Sequence, residues 1–311
     1  MKYFQLFILL LCLACEKIPA NNPQMPTDKG TQIRIMTFNM WHGGDAGKQP
    51  LAKSIQTIQI AKAGIVGAQE THGLATPRPD NSAKMAASLG WNHIDQGDYD
   101  ATMTKYEIIE TTPSKHGSKI KIGENQFIWF FNCHLGYIPY QPYQLASIKY
   151  GEYPFITTEK EAIEWANKTR IGEVTKIVAE VKEKMNENWP VIVTGDFNEP
   201  SHLDWTQKAA DAAICKIKVE WPSTKAFTDL GMKDAYRTYH PDEVAFPGKT
   251  WSAIDSPGEV HDRIDFIFYI GDRLKLINAE IIGEPSDQSD IQITNYPSDH
   301  RSVVATFEWS E

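Results

Sequence analysis

Val191, Ile192, Val193 and Thr194 run unbroken between Pro190 and Gly195. Such a run is apolar on both faces, so it reads as a strand covered on both sides. It delivers Asp196 and Asn198, which stand two apart and therefore point to the same side at a strand end. An acid and an amide where a buried strand opens into a loop are costly unless something uses them. Two readings stay open from this stretch alone: an Asx turn in which Asp196 caps the loop after it, or a catalytic pair. Gly195 lets another group approach the backbone closely.

The same pattern recurs along the chain. Strand-like runs end on Asn39, on Glu70, on His134, on Asp265 and on Asp299 with His300. A lone histidine after an apolar strand is more often a satisfied core residue, and a lone glutamate more often belongs to a turn. Six such endings together point to one shared sheet edge, where loops build sites.

Between these endings the elements follow from periodicity. Helices are expected over residues 51–63 with Gly64 closing the first, over 81–89 with Gly90 as the stop, and over 158–185. In the last, Ile163, Ala166, Ile171, Val174, Ile177, Val178 and Val181 form the apolar side. Short helices are expected near 203–207 and 223–230. Strands are expected over 33–39, 65–68, 91–94, 99–103, 106–110, 127–135, 264–270, 274–282 and 302–309. Strands in pairs with helices between them imply an α/β fold of two sheets packed face to face with helices outside. Residues 136–155 are rich in tyrosine and proline and too long for a simple connector, so they read as an insertion beside His134.

The chain has 311 residues, 41% hydrophobic and 23% charged, with a formal net charge of −9. That composition fits one soluble α/β domain, here residues 31–311, and does not signal a broad basic face for nucleic acid. Residues 1–15 read as a signal peptide, with Lys2 before an apolar core too short to span a membrane. Ala14 before Cys15 resembles a bacterial lipoprotein acceptor site, and Cys12 departs from that pattern. Residues 16–30 read as a flexible tether. The expected location is extracytoplasmic, either secreted or anchored to the membrane through a lipid on Cys15. Cys133 and Cys215 are expected as free buried thiols.

Taken in order, six stretches resemble the endonuclease/exonuclease/phosphatase family. They are Met36-Thr37-Phe38-Asn39, Gly67-Ala68-Gln69-Glu70, Asn132-Cys133-His134-Leu135, Gly195-Asp196-Phe197-Asn198, Arg263-Ile264-Asp265-Phe266-Ile267 and Ser298-Asp299-His300-Arg301. Each is short, and the ordered set is specific. The resemblance implies a four-layered sandwich, two packed mixed β-sheets flanked by helices, and a divalent-metal phosphoesterase using Mg2+ or Mn2+. It implies Glu70 as the main metal ligand with Asn39 and Asp299 nearby. It implies Asp196 positioning or deprotonating the attacking water, and Asn198 holding a phosphate oxygen or orienting Asp196. It implies His300, paired with Asp265, stabilising the phosphoryl charge, and His134 binding the scissile phosphate or assisting the leaving oxygen. These roles fit the chemistry: a phosphate ester needs positive charge at phosphorus and an oriented water.

His42, His72 and Arg170 are weaker candidates for substrate contact, each also readable as a loop histidine or a helix-surface arginine. Lys105 reads as a solvated turn lysine or a phosphate contact, and Asp262 as a second choice to Asp265. The substrate is expected to be a phosphodiester or phosphomonoester, with DNA or RNA as the alternative. A non-catalytic binding protein on the same fold is the remote alternative. The protein is expected to act as a monomer.

Overall fold

The computed structural model describes residues 31–254 and 256–310; the signal and tether segments lie outside the described residues. In chain order the elements are β1 (Gln32–Asn39), α1 (Leu51–Ala61), β2 (Ile65–Gln69), α2 (Asn81–Leu89), β3 (Asn92–Gly97), β4 (Asp100–Thr104), β5 (Glu107–Thr111), β6 (Gly117–Gly123) and β7 (Gln126–His134). There follow α3 (Gln141–Ala146), α4 (Glu159–Met185), β8 (Val191–Asp196), α5 (Gln207–Asp211), α6 (Pro222–Asp229), β9 (Lys233–Asp234) and α7 (Ala235–Tyr239). β10 (Asp265–Ile270), β11 (Leu274–Gly283), β12 (Ile291–Gln292) and β13 (Ser302–Trp309) close the chain. One sheet has seven strands in the order β12-β11-β13-β1-β2-β4-β3, the other six in the order β5-β6-β7-β8-β10-β9. Both are mixed: β1 with β2 and β7 with β8 run parallel, and most other neighbours antiparallel.

Side-chain alternation sorts each central strand into two cores. Ile33 and Ile35 of β1, Ile128 and Phe130 of β7, and Ile192 of β8 meet between the sheets. Met36 and Phe38 of β1 pack outward with Ile58 of α1 and Met85 of α2. Trp129, Phe131, Val191 and Val193 pack outward with Val174, Ile177 and Val181 of α4 and Phe227 of α6. The period of two thus gives four layers from one rule. Each of these fully buried side chains stabilises the fold by roughly 1.5–3 kcal/mol over its exposed state.

The inner faces change character along their length. Ile33 and Ile35 give way to Thr37 and Asn39, Ile128 and Phe130 to Asn132 and His134, and Ile192 to Thr194 and Asp196. Halfway, Gln69 donates to Asn132 Oδ1 at 2.6 Å and to Thr37 Oγ1 at 3.3 Å, and Thr194 donates to Asn132 Oδ1 at 3.2 Å. This buried polar girdle joins the two sheets. Gly67 leaves room for it, since a Cβ there would lie 2.1 Å from Thr194 Oγ1. Beyond the girdle the sheets present acids, amides and histidines.

Several expectations are corrected. The first helix ends at Lys62, which adopts φ 51° and takes the cap that Gly64 was expected to provide. β6 is an unanticipated strand; its alternating Ile120 and Ile122 are separated by lysines that mask the run. α5 begins at Gln207, where the expected helix ended, because Thr206 caps it. In α4, Ile171 is exposed and the neighbouring Arg170 is buried, so the inward stripe is rotated by one position there. Cys133 and Cys215 are free and buried.

Candidate active site

Register brings the polar strand ends side by side. His134 of β7 lies opposite Asp196 of β8, and Asp196 lies opposite Asp265 of β10. On the facing sheet, Asn39 ends β1 beside Gln69, and Glu70 follows at once. The two sheets touch through Asn39, whose Nδ2 donates to Asp196 Oδ2 at 2.9 Å and to Glu70 Oε1 at 3.2 Å. Asn39 turns its oxygen to the Trp41 amide at 3.0 Å, so its amine, not its oxygen, faces the acids. Ser298 fixes the Asn39 carbonyl at 2.7 Å and so seats the loop carrying Asp299 and His300.

Asp196 is the hub. Its Oδ1 accepts the Asn198 amide at 2.8 Å, which is an Asx turn, and its Oδ2 lies 3.7 Å from both His134 Nε2 and His300 Nδ1. The capping reading and the site reading therefore both hold for this residue. Asn198 spends its side chain on the Leu135 carbonyl at 3.0 Å, tying the ends of β7 and β8 together. Gly195 permits the close packing, because a Cβ there would lie 2.3 Å from the Cys133 carbonyl oxygen.

Each histidine has its own acid. His300 Nδ1 donates to Asp265 Oδ2 at 3.0 Å, and Thr250 Oγ1 accepts the backbone amides of Ile264 and Asp265. His134 Nδ1 lies 3.6 Å from Asp100 Oδ1, a partner that sequence reasoning missed. Its only signal is its place at the start of β4, two before the inward Thr102. Burial would lower the pKa of His134, but Asp100, then Asp196 and Glu70, raise it to about 9. Burial likewise opposes charge on His300, and Asp265 and Asp196 outweigh it, raising the pKa well above the usual range. The surrounding acids thus favour the charged form of both imidazoles. Burial pushes the Asp299 carboxyl up to about 6, His300 lowers it and Glu70 adds to the rise.

Above this hub opens a cavity of about 690 Å³. Glu70, His134, Asn198, Asp299 and His300 line it, with His42 and Arg78 at one side and Tyr137, Tyr140, Tyr143, Tyr150 and Trp251 at the other. Asn39, Asp196 and Asp265 lie one layer beneath, each no more than 1% exposed. Glu70, Trp41, His42 and Asn198 have φ of 51°, 48°, 56° and 47°. Left-handed backbone at four non-glycine residues concentrates strain around one site, as functional loops do.

The donor set suits a hard divalent cation. Asp299 Oδ1 is buried with no hydrogen-bond partner, and the Glu70 carboxylate faces the same cavity. Asp196, Asp265 and His300 also bring donor atoms within 4.8 Å of one another. That trio is held together by its own ion pair, and its two acids do not line the cavity, whereas Asp299, with an unpartnered oxygen, and Glu70, which accepts from Asn39 and the His42 amide, do.

Of the other expected site residues, one joins the cavity and the rest fall elsewhere. His42 lines the cavity, 3.5 Å from Glu70 Oε2 and in contact with Arg78 at 3.0 Å. His72 is turned away: it contacts Thr71 Oγ1 at 3.1 Å, packs on Tyr99 and does not line the cavity. Arg170 neither touches the cavity nor sits on a helix surface. It is fully buried, donating to Gln141 at 2.6 Å and pairing with Glu199 at 3.3 Å. Lys105 lies over the Tyr106 ring, away from the cavity. Asp262 accepts from Tyr140 and Trp205 instead of pairing with a site histidine. Arg263 pairs with Asp204 and Asp234 at 2.8 and 2.7 Å, anchoring the entry to β10.

Comparison with known proteins gives the same frame. A model of the Endonuclease/Exonuclease/phosphatase family matches residues 36–300. An uncharacterised protein of Caenorhabditis elegans is 28% identical over 329 residues, spanning 97% of this chain and 98% of that one. Human nocturnin is 29% identical over 129 residues, only 39% of this chain and 25% of nocturnin. Among solved structures, the human nocturnin catalytic domain with bound sulfate has a TM-score of 0.52 at 15% identity, over 90% of this chain and 96% of that domain. D. rerio TDP2 complexed with single-strand DNA product has a TM-score of 0.53 at 15% identity, over 89% and 99% of the two chains. At such identities the structures speak to the fold. With every candidate site residue from Asn39 to His300 inside the matched span, the chain belongs to the endonuclease/exonuclease/phosphatase family, hydrolases that act on phosphate ester bonds.

Proposed function

We propose that this protein is a divalent-metal phosphoesterase that hydrolyses a phosphodiester or phosphomonoester with a water handled by Asp196. The observation that carries this reading is Asp196 Oδ2 at 3.7 Å from each of two histidines that line the cavity. Glu70 and Asp299 would hold Mg2+ or Mn2+, which supplies positive charge to the phosphate and acidity to a bound water, while Asn39, its oxygen turned to the Trp41 amide, positions Glu70 and Asp196 through its amine instead of ligating the ion. His134 and His300 place fixed positive charge where phosphoryl oxygens gain negative charge. Asp265 holds His300 charged and oriented, and Asp100 does the same for His134. Asn198 lines the cavity and keeps the loop after Asp196 in place.

One observation favours a second role for Asp196. At 1% exposed it is covered at rest, which suits a residue that organises the two imidazoles from below. A solvent isotope effect on kcat separates the roles. If Asp196 takes the proton, Asp196→Asn lowers kcat by about 10²–10⁴ and abolishes the isotope effect. An isotope effect that persists in the variant assigns Asp196 to orientation alone.

The reaction class is tested with purified protein in Mg2+ or Mn2+ against plasmid, single-stranded nucleic acid and aryl phosphoesters. Activity on an ester that is lost in Glu70→Gln, together with loss of calorimetric Mg2+ binding, supports the assignment. Activity that survives Glu70→Gln and His300→Asn together would sink it. Cleavage of the nucleic acids in preference to small esters would favour the nuclease reading.

The extracytoplasmic, lipid-anchored location rests on the sequence around Cys15. It predicts that Cys15→Ser moves the protein from the detergent-soluble membrane fraction to the aqueous one.

A further inference from the structure

We infer that the substrate is a small phosphate ester bearing a ring, seated against the tyrosine wall, and not a polymer; this rests on the phosphoesterase reading above. The wall is the insertion after His134. Tyr140 and Tyr143 meet edge to face at 4.9 Å and 87°, and Tyr143 and Tyr150 at 5.6 Å and 88°. Tyr137 packs on Tyr150 at 6.4 Å. All four share the cavity with the catalytic histidines, and Trp251 joins wall to site with its ring 4.8 Å from that of His300.

Two further observations show a built surface. Three of its polar atoms are already engaged: Tyr140 donates to buried Asp262 at 2.7 Å, Tyr143 to Glu259 at 2.5 Å, and Trp251 Nε1 to Glu259 at 3.4 Å. Arg170 ties the same segment down from below, bonding Gln141 Oε1 and the Pro139 carbonyl. A wall so anchored offers ring surface to a ligand, with the Tyr137 and Tyr150 hydroxyls at its rim. Rim residues Tyr137 and Tyr150 remain 56% and 41% exposed, open to a planar or saturated ring.

Charge sets the number of phosphates. Among the described residues lining the cavity there is no lysine, and Arg78 is the one arginine. Arg78 is itself engaged with His42, the His72 carbonyl and the Tyr99 ring. A nucleic-acid track needs repeated cations for successive phosphates. This cavity reads one phosphate at its floor and one ring at its wall. Its volume is that of a small-molecule site.

The test uses the full chain in Mg2+ and a series with a constant leaving group. Methyl p-nitrophenyl phosphate, thymidine 5′-p-nitrophenyl phosphate and a hexose 6-p-nitrophenyl phosphate share the nitrophenyl ring, so the ring comparison is read from turnover together with titration of the products that lack it. Calorimetric titration of methyl phosphate, thymidine 5′-monophosphate and hexose 6-phosphate reads binding without turnover. At least tenfold higher kcat/KM and tenfold tighter binding are expected for one ring-bearing series over methyl, as a stacking contact gives. Preference for the nucleoside identifies an aromatic ring, and preference for the hexose a saturated one. Tyr150→Ala should cut that preference five- to tenfold, mainly through KM. Turnover with no ring preference overturns this inference alone, as does an oligonucleotide ester turned over more than tenfold faster than the mononucleoside. Ring-selective binding without turnover of any ester overturns the phosphoesterase reading and leaves the wall's ligand assigned.

Discussion

His134 sits between two carboxylates from different sheets, Asp100 at 3.6 Å and Asp196 at 3.7 Å. Burial works against its charge, and the acids win, so its pKa rises to about 9. A histidine whose folded pKa exceeds its unfolded value stabilises the fold fully below about 6.5, and this contribution fades as pH rises through about 9. Urea denaturation at pH 6 and pH 9.5 should show wild type losing more stability across that window than His134→Gln. Asp100→Asn removes the first supporting acid, so the alkaline limb of kcat/KM should move to lower pH; an unmoved limb would dissociate His134 from it.

At the scale of elements, α4 does two jobs that its sequence pattern conceals. Its N-terminus carries a capping box, with Thr158 Oγ1 accepting the Glu161 amide at 3.2 Å and Glu161 accepting the Thr158 amide at 3.0 Å. Thr158→Ala should cost about 1 kcal/mol in denaturation and leave turnover unchanged, since the cap is remote from the cavity. Its middle holds Arg170, fully buried against Glu199, which directly follows Asn198. Arg170→Met strands a buried carboxylate and should cost about 3–5 kcal/mol. The double variant Arg170→Met with Glu199→Gln should recover much of that in the same urea titration. Were the single variant neutral, Arg170 would not hold the loop that carries Asn198.

For the molecule as a whole, the site exists because two sheets approach closely at their polar ends. Gly67 makes that approach: a Cβ would press on Thr194 Oγ1 at 2.1 Å and Asn132 Oδ1 at 2.4 Å, both from the facing sheet. Gly67→Ala should destabilise the fold by about 1–3 kcal/mol, as overpacking does. It should also lower kcat beyond what stability explains, because prising the girdle apart separates Asn39 from Asp196. A variant with full activity and reduced stability would show that the girdle serves the core alone.

Sequence by itself determined the layers and the identity of the strand ends. A period of two with β-branched and aromatic residues admits only strands with two faces, and the tertiary structure chose Ile33, Ile128 and Ile192 for the space between the sheets. Asn39, Glu70, His134 and Asp196 were legible because each polar group follows an apolar run at the point where the chain leaves the core, and Asp265 and His300 because each stands where such a run begins. What tertiary structure decided was partnership. Asp100 is 34 residues from His134, and no local pattern pairs them; the pairing arises where β4 of one sheet faces β7 of the other. Arg170 looked like a surface residue because helical spacing gives an angle, not an environment, and the buried Glu199 that receives it comes from another loop. Asp196 changed least in identity and most in setting: the strand that presents it was written in five consecutive residues, whereas the two imidazoles and the amide around it come from three other strand ends.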